Sequence, residues 1–324
     1  MPLRVLARRL LGLVPLFLGI ILMSFFVVRL APGGPADARF ELNPKAAPDA
    51  RVRFEKIYGL DKPLPEQFLA WAGRVVRLDF GESFVDGESV SKKIGRALPI
   101  TLFINFLSLL IICVLGTWLG VLSAVKKGGI LDRTLTSATL AGFSLPTFWI
   151  ALLAMSFFGV QLRLLPVSGL TSVFFDEMSF TEKIMDLAKH LVLPVTVSSL
   201  TGLAGFSRLA RNSMIETLKQ GYVRAARAKG LSESRVLYVH ALKNASLPVM
   251  TALGLSVPGL LGGSVIFETI FSVPGMGRLF FSSVFSRDYP VILGILVLGA
   301  VATLFGNLLA DLACAAADPR IRTR

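Results

Sequence analysis

The stretch "ITLFINFLSLLIICVLGTWLGVLSAV" (100–125) carries no charged residue and ends against Lys126 and Lys127. A helix rises about 1.5 Å per residue, so about 20 apolar residues cross the roughly 30 Å hydrocarbon core of a bilayer. A run this long and this apolar sets the class of the chain. Five other segments meet the same test, at about 10–29, 134–160, 190–207, 247–270 and 289–314. The weakest is 190–207, where Pro194, two glycines and several hydroxyls interrupt the apolar residues; such residues are tolerated where helices pack on neighbours. Composition agrees: 53% of residues are apolar and 17% charged, against about a quarter charged in a soluble protein. The expected fold is an all-α membrane protein with about six transmembrane helices.

Orientation follows from the distribution of Lys and Arg. With the N-terminus inside, the inner segments are 1–9, 126–133, 208–246 and 315–324. They hold 17 of the 34 basic and 4 of the 21 acidic residues, so the whole net charge of +13 lies on one side. A nucleic-acid binder has no reason to sort its charge in this way. Both termini are therefore expected to be cytoplasmic.

Arg4, Arg8 and Arg9 precede an apolar run from Leu10 to Val28. It exceeds the roughly 7–15 residues of a secretory core, so it is read as an uncleaved first helix. The segment 30–99 is long and of mixed charge, with turn residues in "PGGP" and "DKPLPE". Within it Phe68, Trp71 and Val75 recur at helical spacing and predict a small helical cap on the outer surface. The chain divides into an N-terminal helix with its outer segment (1–98), a five-helix core (99–314) containing the inner loop 208–246, and a tail (315–324).

Catalytic equipment is scarce. The sequence holds no G-x-x-x-x-G-K-[ST] phosphate loop. Cys113 and Cys314 lie in apolar runs, where they read as packing residues. His190 and His240 belong to no cluster with metal-ligand spacing, so no metal or other cofactor is expected in this chain. Gly142-Phe143-Ser144 resembles a protease G-x-S only weakly, because no histidine base is expected at its depth. Arg29, Glu268 and Asp311 sit near helix ends rather than at the midplane, where a charge costs about 2.5–3.5 kcal/mol. Glu268 is the candidate for facing a translocation path; a capping or paired residue at a helix end is the plainer reading. The pattern is a passage without its own source of energy.

The inner loop contains "GYVRAARAKG" (221–230). At 100° per residue Tyr222, Ala225, Ala226 and Lys229 share one face of a short helix, with Arg224, Arg227 and Ala228 around the adjacent face. Gly230 is placed to end that helix and Ser232 to cap the next. Alanines allow another backbone to approach closely, and arginines can pair with a partner's acids. A basic loop lying on lipid head groups is the alternative, although the segment lacks the Trp/Phe/Leu face of an interfacial helix.

"YVRAARAKGLSESRVLYVHALKNASLPV" (222–249) resembles the cytoplasmic coupling loop of ABC-importer permeases in the dipeptide/oligopeptide/nickel branch. The broad family signature has Glu where Arg224 stands; the variant with a basic alanine helix looks like this branch. "FFVVRLAPGGPAD" (25–37), "YGLDKPLPEQFLAW" (58–71), "RLDFGESF" (77–84) and "GGSVIFETIFSVPGMGRLFFSSVFSRDYPVILG" (262–294) extend the resemblance along the chain. It implies a permease subunit of the bacterial inner membrane, forming the path for peptides or peptide-like solutes. The implied partners are a homologous second permease, two ATPase subunits carrying ATP and Mg, an extracytoplasmic binding protein and membrane lipid. It also implies that Tyr222, Arg224, Ala225, Ala226, Arg227, Ala228, Lys229 and Gly230 form the contact with an ATPase. The competing readings are an autonomous ion- or proton-driven carrier, against which stands the lack of a midplane charge, and a membrane hydrolase using Ser144.

Overall fold

The computed structural model describes residues 3–36 and 48–317. Among them the structure is helical, with one isolated antiparallel bridge between Glu82 and Ser89. In chain order the helices are α1 (Leu3–Leu30), α2 (Pro48–Ile57), α3 (Leu64–Val76), α4 (Val90–Val125), α5 (Ile130–Ser144) and α6 (Thr147–Ala154), the last prolonged by a π-helical turn over Met155–Gln161. There follow α7 (Phe180–Leu218), α8 (Gly221–Ala228), α9 (Glu233–Arg235), α10 (Leu242–Ala245), α11 (Leu247–Ser256), α12 (Val265–Ile270), α13 (Met276–Phe285) and α14 (Tyr289–Ala317).

Four helices are long and apolar enough to span a membrane singly, within α1, α4, α7 and α14. The third and fifth expected spans are not continuous. Ile130–Gly142 and Thr147–Gln161 meet at 96°, and Leu247–Ser256 is followed by Gly259–Ile270 across a second break; counting each pair once gives six. Pro146 accounts for the first break. The residue before a proline is pushed out of the helical region, and Leu145 is extended at φ −87°, ψ 138°. At the second, the turn Val257–Leu261 contains Pro258 and Gly259, which respectively lack an N–H and a Cβ. Two helices overshoot the expected spans instead: α4 has 36 residues and α7 has 39, about 54 and 58 Å of helix.

The chain forms two compact units. The first comprises Met1–Thr101, Leu261–Val265 and Pro274–Phe305. Its boundary at Thr101 lies close to the expected one at 98, but it also takes in α13 and most of α14, which the sequence division assigned to the core. Packing is the reason: Met276, Val291, Leu293 and Val297 share an apolar cluster with Phe25, Trp71, Val75, Phe80 and Val90. The expected spacing in α3 is borne out, with Trp71 and Val75 buried and Phe68 packed beside them. Phe25 stacks on Trp71 at 5.4 Å between centroids.

A polar clasp closes this unit ahead of α14. The buried Asp288 carboxylate accepts from the Ser83 hydroxyl and, at 2.9 Å, from the Phe84 N–H. Lys93 lies 3.9 Å from Asp288 and 2.7 Å from Asp86. Burial pushes the Asp288 carboxyl up, with the Ser83, Phe84 and Lys93 contacts opposing it. The hydrogen bond from Lys93 holds Asp86 down to about 2.

The second unit comprises Leu102–Leu260, Ile266–Val273 and Gly306–Arg324; residues 318–324 of the expected tail lie outside the described residues. Within it α4 approaches α7 closely. A Cβ on Gly120 would fall 2.4 Å from the Ser207 carbonyl oxygen and 2.7 Å from Ala210 Cβ, and one on Gly116 would fall 2.9 Å from Phe206 Cβ. From the other helix, Gly202 accepts the side chain of Ile112. Gly116 and Gly120 make a G-x-x-x-G face, the spacing that lets helices touch backbone to backbone in lipid. Close passage is what the glycines provide.

Gly120→Ala must push apart two helices at a backbone oxygen, an overpacking that costs about 1–3 kcal/mol. Thermal unfolding of the purified protein in detergent should show a clear destabilisation for Gly120→Ala. Gly205→Ala, where the added Cβ meets nothing within 4 Å, should unfold with the parent.

Candidate functional site

The loop 208–246 is not a loose connection. Its first part continues α7 through Leu218, and the turn at Lys219 and Gln220 leads into α8. After α8 the chain passes Gly230, then α9, a π-helical turn over Val236–Ala241, and α10. These pieces enclose a core of Met214, Val223, Ala226, Val236, Ala241 and Ala245, packed on Val121 and Ala124 of α4. Val223 and Val236 are fully buried. The outcome is a small lobe seated on the ends of α4 and α7.

The exit from α8 is a glycine-dependent cap. Gly230 adopts φ +78°, a region other residues enter only at a cost. The Gly230 N–H donates to the Arg227 carbonyl at 2.9 Å and the Leu231 N–H to the Ala226 carbonyl at 3.4 Å, the paired closure that satisfies two late carbonyls of a helix. Ser232 occupies the expected N-cap position of α9 with extended backbone, but its side chain makes no capping bond.

Side chains then tie the lobe together. Arg227 grips Glu233 with two hydrogen bonds, Nε at 3.0 Å and Nη2 at 2.6 Å. Arg227 holds the Glu233 carboxyl below the usual carboxylate range, and Glu233 raises the guanidinium in turn. The Asn244 amide donates to the Tyr222 hydroxyl at 2.7 Å, and the Ser213 hydroxyl to the Ala245 carbonyl at 2.8 Å. Behind the lobe, Asp132 at the start of α5 is buried at 4% exposure. Its carboxylate accepts two bonds from Arg211 of α7, at 2.7 and 2.8 Å, one from the Gly128 N–H at 2.8 Å, and one from the Ser123 hydroxyl. A buried charge is tolerated when it is paired and its remaining lone pairs are filled, and both conditions hold here.

The structure sorts the eight residues expected to form the contact. Arg224, Ala225, Arg227, Ala228, Lys229, Gly230 and Tyr222 are exposed. Ala226 faces inward beside Val223, so the helix turns a different side to solvent from the one Tyr222, Ala225, Ala226 and Lys229 would have made. The outward face is centred on Arg224, Ala225 and Ala228. Val223 was not among the expected residues. The missed signal is the apolar spacing Val223–Ala226, continued by Val236, which marks a core stripe. Arg211 and Asp132, 79 positions apart, had no sequence signal linking them.

Glu268 lies elsewhere, buried at 7% exposure on α12; its backbone carbonyl accepts from the Val273 N–H at 2.8 Å. The Ser144 hydroxyl donates to the Leu140 carbonyl at 2.8 Å. His190 is buried beside Asp186.

Comparison with known proteins gives concordant results. The family described as "Binding-protein-dependent transport system inner membrane component" matches residues 116–323, and its N-terminal counterpart matches residues 2–105. The oligopeptide transport system permease protein AppB of Bacillus subtilis is 40% identical over 97% of this chain and 98% of its own. The di/tripeptide transport system permease protein DppB of Pseudomonas aeruginosa is 37% identical over 98% of each. The dipeptide permease DppB of Escherichia coli is also 37% identical, over 97% of each. Among solved structures, an inward-facing MetNI methionine ABC transporter chain aligns with TM-score 0.49 and 19% identity, covering 68% of this chain and 95% of that one.

Gly230→Ala should destabilise the lobe by about 1 kcal/mol through backbone strain alone, because its Cβ would meet nothing within 4 Å. Limited proteolysis should then cut within 221–246 faster than in the parent, with the spans still protected.

Proposed function

The chain belongs to the family of binding-protein-dependent transport system inner membrane components, and from that premise we propose how it works. It is the membrane-spanning permease subunit of an ATP-driven ABC importer and forms the path for peptides or peptide-like small solutes. The relatives named for oligopeptides and for di- and tripeptides, similar over nearly the full length of both chains, support the solute class. It resides in a bacterial inner membrane with both termini in the cytoplasm. It works with a homologous second permease, two ATPase subunits that bind ATP and Mg, and an extracytoplasmic binding protein.

The observation that carries this reading is the lobe on the ends of α4 and α7. Its short helix presents Arg224, Ala225 and Ala228 outward, with Tyr222, Lys229 and Gly230 at the margins. Alanines leave room for a partner's surface to close on the backbone, and Arg224 supplies a charge-assisted contact. Ala226 and Val223 hold the helix from beneath, and Arg227 braces it against Glu233. ATP binding on the partner drives the permease between states only if this contact has a different free energy in each. We also assign Glu268 to the wall of the path, as the one ionisable group in the run "VIFETIF" (265–271).

Two alanines separate docking from folding. Ala225→Trp should leave the lobe intact and abolish ATPase association and ATP-driven uptake in proteoliposomes holding the complete importer. Ala226→Trp should disrupt the lobe itself and make it protease-sensitive. Wild-type uptake by a well-folded Ala225→Trp protein would rule out docking at this face. Gradient-driven uptake by this chain alone, without ATPase subunits, would overturn the importer reading.

A further inference from the structure

Among the described residues of the first unit stands a cation without a counter-ion. Arg29, in the last turn of α1, is partly buried, and its Nε is fully buried with no hydrogen-bond partner among the described residues. The guanidinium carbon lies 5.5 Å from the Phe25 ring centroid and 5.3 Å from that of Tyr289. Among the described residues no carboxylate stands within ion-pair distance of it. Ring faces attract a cation but leave its charge in place, and a charge drawn out of water without an anion is costly. Most polar groups in such positions have a partner.

A second orphan shares its surroundings. Gln67 of α3 donates from Nε2 to the Leu60 carbonyl at 3.1 Å and to the Lys62 carbonyl at 2.7 Å. Those bonds fix the sense of the amide, and its Oε1 is buried without a donor. Arg29 and Gln67 line the same cavity, of about 540 Å³. Its buried wall is aromatic, built from Trp71, Phe80, Phe84 and Tyr289, and charges of both signs stand around its rim, Glu66 and Arg74 among them. The cavity thus offers a cation and a donor for an oxyanion, an acceptor for an N–H, and apolar surface.

We propose that this cavity binds the carboxylate end of a small peptide or peptide-like solute. The carboxylate takes the Arg29 guanidinium, the main-chain N–H donates to Gln67 Oε1, and the side chain rests on the aromatic wall. The identity of the solute rests on the permease reading above; the chemistry of the site does not. A water molecule would satisfy both orphan atoms but leave the charge of Arg29 uncompensated, whereas a peptide end answers all three needs, its carboxylate meeting the Nε and the charge of Arg29 and its main-chain N–H meeting Gln67 Oε1. A phosphoethanolamine head group offers the same pairing of oxyanion and N–H, so lipid must be separated from solute by experiment.

The test uses the full chain in nanodiscs of phosphatidylcholine, which has no N–H, without ATPase or binding protein. Replacing Trp118 and Trp149 by Phe leaves Trp71 as the fluorescent reporter on the cavity wall. Trialanine should give a saturable change, and trialanine amide should bind at least about tenfold more weakly, as loss of a charge-assisted contact requires. Arg29→Gln should bring the acid to the level of the amide and leave the amide unchanged. Equal binding of acid and amide, or no saturable response to either, overturns the proposal. So does a Trp71 response that requires phosphatidylethanolamine in the disc instead of peptide, which would give the cavity to a lipid head group. Should Arg29→Gln fail to fold, the comparison of acid with amide on the parent protein decides alone. Uptake by the complete importer is measured separately. ATP-driven peptide uptake without binding in the cavity removes the site and spares the permease role; binding in the cavity without uptake does the reverse.

Discussion

The second unit depends on one close passage, that of α4 across α7 at Gly116 and Gly120. Lipid tails are as apolar as leucine, so helices in a bilayer gain little from burying apolar surface against each other; contact area and local hydrogen bonds decide the geometry. Gly120 lets the α4 backbone run against Ser207 and Ala210 with no side chain between them. Three residues later Ser123 meets the Asp132 carboxylate, which Arg211 grips from α7 just past the glycine contact. Val121 and Ala124 of α4 then reach the core around Met214, Val223 and Val236. Glycine contact, buried ion pair and apolar lobe follow one another along the same two helices, each positioned by the one before.

Much of this fold is legible in the sequence because membrane helices obey coarse rules. Apolar length marks the spans, and residues 10–29, 100–125 and 289–314 all fall in long apolar helices. What the rules cannot see is local backbone geometry. The run 134–160 contains Pro146 and was still long and apolar enough to predict one helix; the break comes from the restriction that proline places on Leu145. The helix α7 illustrates the opposite error. Hydropathy ends its span near Ser207, but the helix continues to Leu218 because Ala210, Met214 and Thr217 find packing partners outside the apolar run. The grouping of α14 with α3 is illegible for a similar reason, since the cluster joining them is tertiary and no local pattern encodes it.

The short helix α8 shows where composition misleads. Alanine has no strong preference for core or surface, so two alanines in one turn look equivalent in sequence. Here Ala226 is inside and Ala225 outside, and the residue that decides between them is Val223. Its isopropyl group must be buried, and a helix that buries Val223 carries Ala226 down with it, one turn on the same side. The exposed face follows from the buried one. Arginine is equally ambiguous: Arg227 has its charge engaged within the lobe by Glu233, whereas Arg224 makes no ion pair among the described residues. A surface of eight candidates reduces to a smaller outward patch with one uncommitted guanidinium.

That reduction bears on how a contact at α8 could be transmitted. A force applied to an exposed loop is lost if the loop yields first. The lobe has few ways to yield: α8 is capped by Gly230, braced by Arg227 on Glu233, linked through Tyr222 to Asn244 and seated on Val121 and Ala124. The Ser213 bond to Ala245 closes its far end onto α7. Beneath it, the two-pronged Arg211–Asp132 pair resists sliding as well as separation, because displacement in either direction breaks a short charge-assisted bond. An element built this way is tied to the adjoining ends of α4 and α7 at several independent points. On the proposed reading, the free-energy difference between transport states is then expressed at the small outward patch of α8 and at the far ends of the helices, with little absorbed by the lobe in between. On that same reading rigidity at this point is a requirement of coupling, which so many independent contacts on so short a helix would meet.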